Sequence, residues 1–396
     1  MTQYSIEPVV GYCTNVHAGT DLEKVQQNLQ HYSLDVKGRV RPDSSMGIGL
    51  WLSHEACRDL LQQTELQHFA DWIAEHQLLP FTFNGFPYSN FHQPIVKHQV
   101  YQPDWSRPER FEYTRHLAHI QRRLLEAQPD STQFATISTL PLGWPVADGD
   151  QAAFQQECAQ QLIRLSEELD QIFEQSGTRI MVCIEPEPGC ILDTASDVGR
   201  FFEQFLFSGN QPVSERIRRH IGVCHDVCHS SVMFESQKKA LEQYEKMGIE
   251  VGKYQISSAI EANFGLCQDD LAAMALLQQL SEFSEPRYLH QTMVQHTDGR
   301  MEFYEDLPNA IERVGQQPQG VWRVHFHVPL FADKLGLVDT TQTDVQRCLD
   351  SIRHPADRPL HFELETYAWT VLPEPLQVPL AVGISQEIEW FDQLLQ

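Results

Sequence analysis

Apolar runs of seven or eight residues alternate along the chain with longer stretches in which apolar residues recur every three or four positions. Strands buried on both faces, separated by amphipathic helices, give this pattern in parallel β/α proteins. Eight runs read as strands: 8–15, 46–52, 80–86, 134–140, 180–186, 221–227, 251–257 and 360–367. Between them, Phe154, Cys158, Leu162, Leu165, Leu169 and Ile172 mark one face of a helix. Ser53 opens another, carrying Leu60, Phe69, Trp72 and Ile73, and the segments 194–207 and 236–247 repeat the period. Eight such units without an internal break predict an α/β protein, a single (β/α)8 TIM barrel over 1–396.

Two stretches exceed what a plain barrel needs. FNGFPYSNFHQPIVKHQVYQPDWSR (83–107) is aromatic and rich in proline, which is loop chemistry. It follows a strand, so it is expected on the C-terminal face, where such barrels build their sites. The second stretch is the 102 residues between Ser257 and Leu360. There, RYLHQTMVQHTDGRMEFYEDL reads as a hairpin about Thr297, Asp298 and Gly299, and WRVHFHVPLF reads as a further strand. A β-hairpin insertion at about 262–345, before the last strand, is therefore expected.

The strand ends carry the chemistry. In LHFELETY the pleat puts His361, Glu363, Glu365 and Tyr367 on one face. Lys253, Gln255 and Ser257 share a face, as do His325 and His327, and Glu185 and Glu187. An inward row of acids, imidazoles and an amide is costly unless something binds it. A divalent metal offsets that cost most simply. Oxygen donors from Glu185, Asp226 and Glu365, with His327 or Gln255, make a mixed set suited to Mn, Zn, Fe or Co. A metal-free, hydrogen-bonded lining is the alternative. Alternation turns His225 away from Asp226, a structural position, and Glu187 and Glu363 are expected to steady the ligands or to form salt bridges.

Charge narrows the partners. Against 29 Lys and Arg stand 54 Asp and Glu, a formal net charge of −25. A duplex or an anionic membrane surface needs a basic face, so neither is an expected partner. No apolar stretch reaches the roughly 18 residues of a membrane span, and MTQYSIEPVV shows no secretory signal pattern. Nine cysteines, an odd number, include Cys183 and Cys224 in apolar runs, and Cys224 with Cys228 is readable as a thiol pair. A reduced, cytoplasmic protein is expected. GIGLWL at 47–52 lacks the third glycine of a dinucleotide site.

The segment IGVCHDVCH (221–229) resembles the VC-x-D-x-C-H segment of endonuclease IV, among the xylose-isomerase-like barrels. IEPEPG resembles that group's fifth-strand ligand motif, and ETYAW the Glu-Thr that ends its eighth strand. The resemblance implies metal-ligand positions at Glu185, Asp226 and Glu365. It makes His229 a metal ligand or a substrate contact. Gln255 stands where a histidine is usual, and His325 with His327 resembles a later Asp-x-His pair. Asn84 and Ser138 replace further zinc-binding histidines of the nuclease, so a three-metal phosphodiesterase centre ranks last. A longer likeness, through FTFNGFPYSNFH, VKHQVYQPDW, KYQISSA, VHFHVPLF and HFELETYAW, is to the EboE-like metabolite-traffic proteins. It implies a bacterial small-molecule pathway, an export route and other Ebo proteins as partners, without supplying a reaction.

In related isomerases and epimerases, a metal polarises substrate oxygens while a ligand carboxylate moves a proton at the adjacent carbon. Glu185 and Glu365 are the candidates for that catalytic pair. His229, Lys253, His325 and Asn84 are the candidate substrate contacts, with Lys253 or Arg323 placed to neutralise an enediolate or carboxylate. A binding protein that kept the pocket and lost turnover is the alternative. Phe83, Phe86, Tyr88, Phe91 and Trp144 either wall a pocket for an aromatic or polyketide-like ligand or pack the loop against the barrel.

Overall fold

The computed structural model describes residues 6–128, 133–145, 150–314 and 317–396. Strands β1 (Val9–Cys13), β2 (Met46–Leu50), β3 (Leu78–Asn84), β4 (Phe134–Thr139), β5 (Arg179–Ile184), β6 (Ile221–Asp226) and β7 (Val251–Ile256) are parallel neighbours in sequence order. Six short strands follow: β8 (Ile260–Asn263), β9 (Thr292–Gln295), β10 (Met301–Tyr304), β11 (Val321–Val324), β12 (Lys334–Leu335) and β13 (Val338–Thr340). The last, β14 (His361–Leu364), pairs in parallel with both β1 and β7 and closes an eight-stranded barrel. The eight runs read as strands are the eight barrel strands.

Local signals set the helices around it. Asp150 accepts from the amides of Ala152 and Ala153 and starts the helix Gln151–Ser176, which ends at left-handed Gly177. Its buried stripe holds Cys158, Leu162, Leu165, Leu169 and Ile172. Ser53 caps the helix His54–Leu60, but that helix stops there and a second, Gln63–Glu75, carries Phe69, Trp72 and Ile73. The single helix expected from Ser53 is therefore two. Among the described residues no helix is long and apolar enough to cross a membrane. The nine cysteines are free thiols, Cys224 and Cys228 included.

The expected hairpin pairs as β9 with β10, joined through Asp298 and Gly299. It is a part of something larger: β8 to β13 form a six-stranded antiparallel sheet in the order β10-β9-β11-β8-β13-β12. The strand expected in WRVHFHVPLF ends at Val324, and 325–328 leave the sheet. His325 and His327 are still buried together, because Phe326 packs the other way against Phe283 and His290.

Side chains fill the barrel interior in layers. Deepest, Thr136 Oγ1 donates to Thr82 Oγ1 at 2.8 Å and lies 3.0 Å from His361 Nδ1. Above it, Lys253 donates to Glu363 Oε2 and to Ser138 Oγ at 3.3 Å. Gly49 makes that middle layer possible: a Cβ there would lie 1.5 Å from Glu363 Oε1. Gly49→Ala is expected to destabilise the protein by about 3 kcal/mol, read as a drop in denaturant midpoint. The upper layer opens on the C-terminal side.

Candidate active site

Four strand ends deliver the upper layer. Glu185 follows β5, Asp226 ends β6, and Glu365 follows β14; ligand oxygens of all three lie within 4.8 Å of one another. His327, from the segment after β11, joins Asp226 and His229 in a second such group. All are buried, at 1–6 % exposure.

Asp226 and His327 are each held by one atom and free at another. Asp226 Oδ1 accepts from the His229 amide and Ser257 Oγ, both at 2.8 Å, while Oδ2 has no partner among the described residues. His327 Nδ1–H donates to the Glu365 carbonyl at 2.7 Å, which fixes the tautomer and leaves Nε2 an unpartnered lone pair. Glu365 Oε1 accepts from Asn15 Nδ2 at 2.6 Å and Asn84 Nδ2 at 3.0 Å. Glu185 Oε2 is buried and unpartnered. Unpaired buried oxygens and an imidazole lone pair, in two clusters that share Asp226, fit a divalent cation.

Two more histidines extend the set outward. His229 Nδ1–H donates to the Pro186 carbonyl at 2.9 Å, and His325 Nδ1–H to Gln291 Oε1 at 2.8 Å. Their Nε2 atoms then face each other at 3.2 Å with a lone pair on each. Burial pushes His229 down to about 3 and His327 to about 4, so both rings are neutral near pH 7. Glu187 accepts from Tyr101 Oη and Gln291 Nε2, both at 2.8 Å; burial still lifts it to about 7.

Crowded, desolvated carboxylates resist ionising together. Burial, then Asp226 and Glu363, lift Glu365 from 4.5 to about 8, and burial with Glu365 and Asp226 lifts Glu185. Burial also raises Asp226, against the pull of His327 and its hydrogen bonds. A carboxyl raised in the folded state keeps its proton longer than in the unfolded chain. Stability therefore falls as pH rises from the unfolded value toward about 8. The depressed histidines act in the opposite sense, but only below about pH 6.5. Metal-free protein is thus expected to lose a few kcal/mol as pH rises from about 6.5 to about 8, and saturating divalent cation to abolish that loss. Asp193, lifted to about 8 by burial and Asp197, titrates in the same window. The measurement is therefore the melting-temperature difference with and without metal.

A cavity opens above these residues. Asn15, Asn84, Glu185, Glu187, His229, His325, His327 and Glu365 line its floor. The loop after β3 and the insertion roof it: Val96 and Lys97 amides donate to the Arg287 carbonyl at 2.7 and 3.0 Å. Lys97 also pairs with Asp306, and Tyr288 Oη donates to the Phe91 carbonyl at 3.2 Å.

Several expected contacts lie elsewhere. Lys253 is fully buried one layer below the cavity, its ammonium taken up by Glu363 and Ser138, so it meets no substrate there. Burial opposes its charge, but Glu363 overrides that and raises its pKa. Arg323 bonds Glu261 at 2.8 Å and the Ser231 carbonyl at 2.8 Å, away from the cavity. Gln255 pairs in register between Asp226 and Glu363; its Nε2 makes no ordinary hydrogen bond among the described residues, although its amide lowers the Glu365 pKa. His225 bonds Gln237 at 2.7 Å, on the helix side. Of the five aromatics, Phe86 and Phe91 line the cavity. Phe83 is in the core around the barrel, Tyr88 stacks on His54, and Trp144 backs Tyr101.

Asn15, Tyr288 and Gln291 belong to the site and carry no motif, and Tyr101 lies within VKHQVYQPDW without standing out there. Asn15 does continue the inward alternation of β1 past Cys13, the one signal available.

Barrel and site together define a TIM barrel with a buried carboxylate and imidazole cluster at its C-terminal mouth. No family model matches the chain, and no curated protein matches it. Among solved structures, it is similar to a xylose isomerase-like TIM barrel protein from Mycobacterium smegmatis in complex with magnesium. The TM-score is 0.51 at 9 % identity, over 100 % of this chain and 98 % of that one. The IolI protein with a bound zinc atom gives a TM-score of 0.49 at 11 % identity, covering 98 % and 97 % of the two chains. The probable 3-DHS dehydratase AsbF from Bacillus anthracis gives 0.47 at 12 %, covering 97 % and 98 %. At these identities the likeness is one of fold.

Proposed function

We propose that the protein is a divalent-metal-dependent enzyme of isomerase or epimerase type, acting on a small polyhydroxylated or carbonyl metabolite. The clustering of Glu185 and Glu365 about Asp226, which His327 also joins, with unpartnered atoms on Glu185, Asp226 and His327, carries this reading. Mixed oxygen and imidazole donors suit Mn, Zn, Fe or Co. Bound there, such an ion supplies Lewis acidity to carbonyl and hydroxyl oxygens. The magnesium complex of the similar Mycobacterium smegmatis barrel supports a divalent cation in this fold.

Glu185 and Glu365 approach from separate strands and take the acid and base roles at the carbon beside the carbonyl. Asn15 and Asn84 hold Glu365 Oε1, which turns the rest of that carboxylate toward the cavity. Asn84, His229 and His325 orient substrate oxygens from the floor. Free thiols throughout support a cytoplasmic setting. The motif likeness to EboE-like proteins supports a bacterial metabolite-traffic pathway, with other components of that pathway as partners. A non-catalytic metabolite-binding protein is the second reading; Gln255, an amide that neither moves a proton nor carries charge, favours it.

The deciding experiment is elemental analysis of protein purified without chelator. Near-stoichiometric Mn, Zn, Fe or Co is expected. No metal under any loading condition sinks the enzyme and leaves the binding protein.

A further inference from the structure

The cavity divides sharply into two chemistries. Unsatisfied polar atoms crowd its floor: Asn15 Oδ1, Glu185 Oε2 and His327 Nε2 are buried without partners among the described residues. Asn15 Oδ1 is an acceptor only, so it calls for a hydroxyl or another donor. The upper walls are different. Phe91, Tyr288 and Tyr367 pack as a trio, with centroids 4.9 to 5.6 Å apart, and Phe86 and Tyr101 meet edge-on at 6.0 Å.

Three polar groups in those walls are already engaged. Tyr101 Oη donates to Glu187, Tyr288 Oη to the Phe91 carbonyl, and Lys97 Nζ pairs with Asp306. Those rings present faces, and the lysine brings no free charge. A molecule bearing hydroxyls along its whole length would bury most of its outer ones against carbon, with the Tyr367 hydroxyl the one wall group among the described residues left to meet them.

We propose that the substrate is two-ended, with adjacent oxygen atoms including a hydroxyl at one end and a flat apolar body, a benzene ring or larger, at the other. This rests on the reading above that the floor handles carbonyl and hydroxyl oxygens, and it selects the carbonyl metabolite with an apolar body over a sugar. The floor takes the oxygens, with the hydroxyl donating to Asn15 Oδ1. The body lies against the Phe91, Tyr288 and Tyr367 trio and the Phe86 and Tyr101 pair, whose rings line the cavity and offer offset or edge-on contacts.

Calorimetric titration of the full chain with three probes tests this. 2-Hydroxyacetophenone and dihydroxyacetone share a carbonyl beside a hydroxyl, and only the first has a ring; D-fructose adds hydroxyls. The aryl probe is expected to bind about 100-fold tighter than dihydroxyacetone, and D-fructose no tighter than dihydroxyacetone. Phe91→Ala is expected to weaken the aryl probe about 10-fold and leave dihydroxyacetone within about 2-fold. Should Phe91→Ala fold poorly, Phe91→Leu serves, and the ratio among probes on the unaltered protein stands alone as a test.

Equal affinities, a preference for D-fructose, or no saturable binding of any probe up to about 10 mM would each overturn the proposal. Titrations run in both metal-free and manganese-loaded protein keep the two readings apart. Failure to load manganese counts against the enzyme, whereas the aryl preference stands or falls in the metal-free protein.

Discussion

Lys253→Met is expected to destabilise the protein by about 3–5 kcal/mol, among the largest single effects any side chain here would show. The ammonium is fully buried, between Glu363 and Ser138 in the middle layer. Removing it leaves the Glu363 carboxylate uncompensated, with Oε1 already unpartnered and facing Gly49. The doubly substituted Lys253→Met, Glu363→Met protein is expected to regain most of the loss, because paired charges are costly to bury and apolar chains of similar volume are not. Chemical denaturation of the two single variants and the double closes the cycle. A double variant no more stable than Lys253→Met would show that the loss comes from packing. A substrate role for the same lysine predicts instead a kinetic defect in a protein of normal stability.

The second large effect falls on Glu365→Gln. Exchanging a ligand carboxylate for an amide is expected to weaken divalent metal binding by at least about 100-fold. The same change removes one of three crowded negative charges, so metal-free protein near pH 8 is expected to gain about 1–3 kcal/mol. Weaker metal binding with a higher melting temperature is a combination that mere disruption does not produce. Asn84→Ala, which removes one of two amides holding Oε1, is expected to weaken metal binding about 10-fold. Calorimetric metal titration with thermal melts at pH 8 measures all three quantities. A Glu365→Gln protein that binds metal as tightly as its parent would remove Glu365 from the ligand set.

What could be read in the chain was what periodicity encodes. The barrel strands were legible because burial on both faces writes a continuous apolar run between turns. Of the second sheet, the β9–β10 hairpin and β11 were legible, whereas β8, β12 and β13, two to four residues long, were too short to show a period. The break after Leu60 was hidden because the apolar spacing resumes on Gln63–Glu75 with the same period.

For the site, alternation sorted faces but not depths. It put Lys253 on the face of Gln255 and Ser257, and depth along the barrel then separated a buried ion pair from the cavity floor. Glu185, Asp226 and Glu365 were legible because three strand ends carry acids in register. Asn15 was not, since its partner Glu365 lies 350 residues away. The loop aromatics divided the same way: Phe83 still belongs to β3, whereas Phe86 and Phe91 lie beyond its end.

The fastening between the β3 loop and the insertion has a consequence for time rather than affinity. Two amides on one carbonyl, an ion pair and a tyrosine hydroxyl hold the seam, and the first three come from adjacent residues, Val96 and Lys97. Such fasteners release together or not at all. A molecule that enters and leaves through that seam waits on one opening event of the chain, so arrival ceases to quicken with concentration once opening is the slower step. Departure by that route obeys the same ceiling, so dwell time there depends on Val96 and Lys97 as well as on the molecule held.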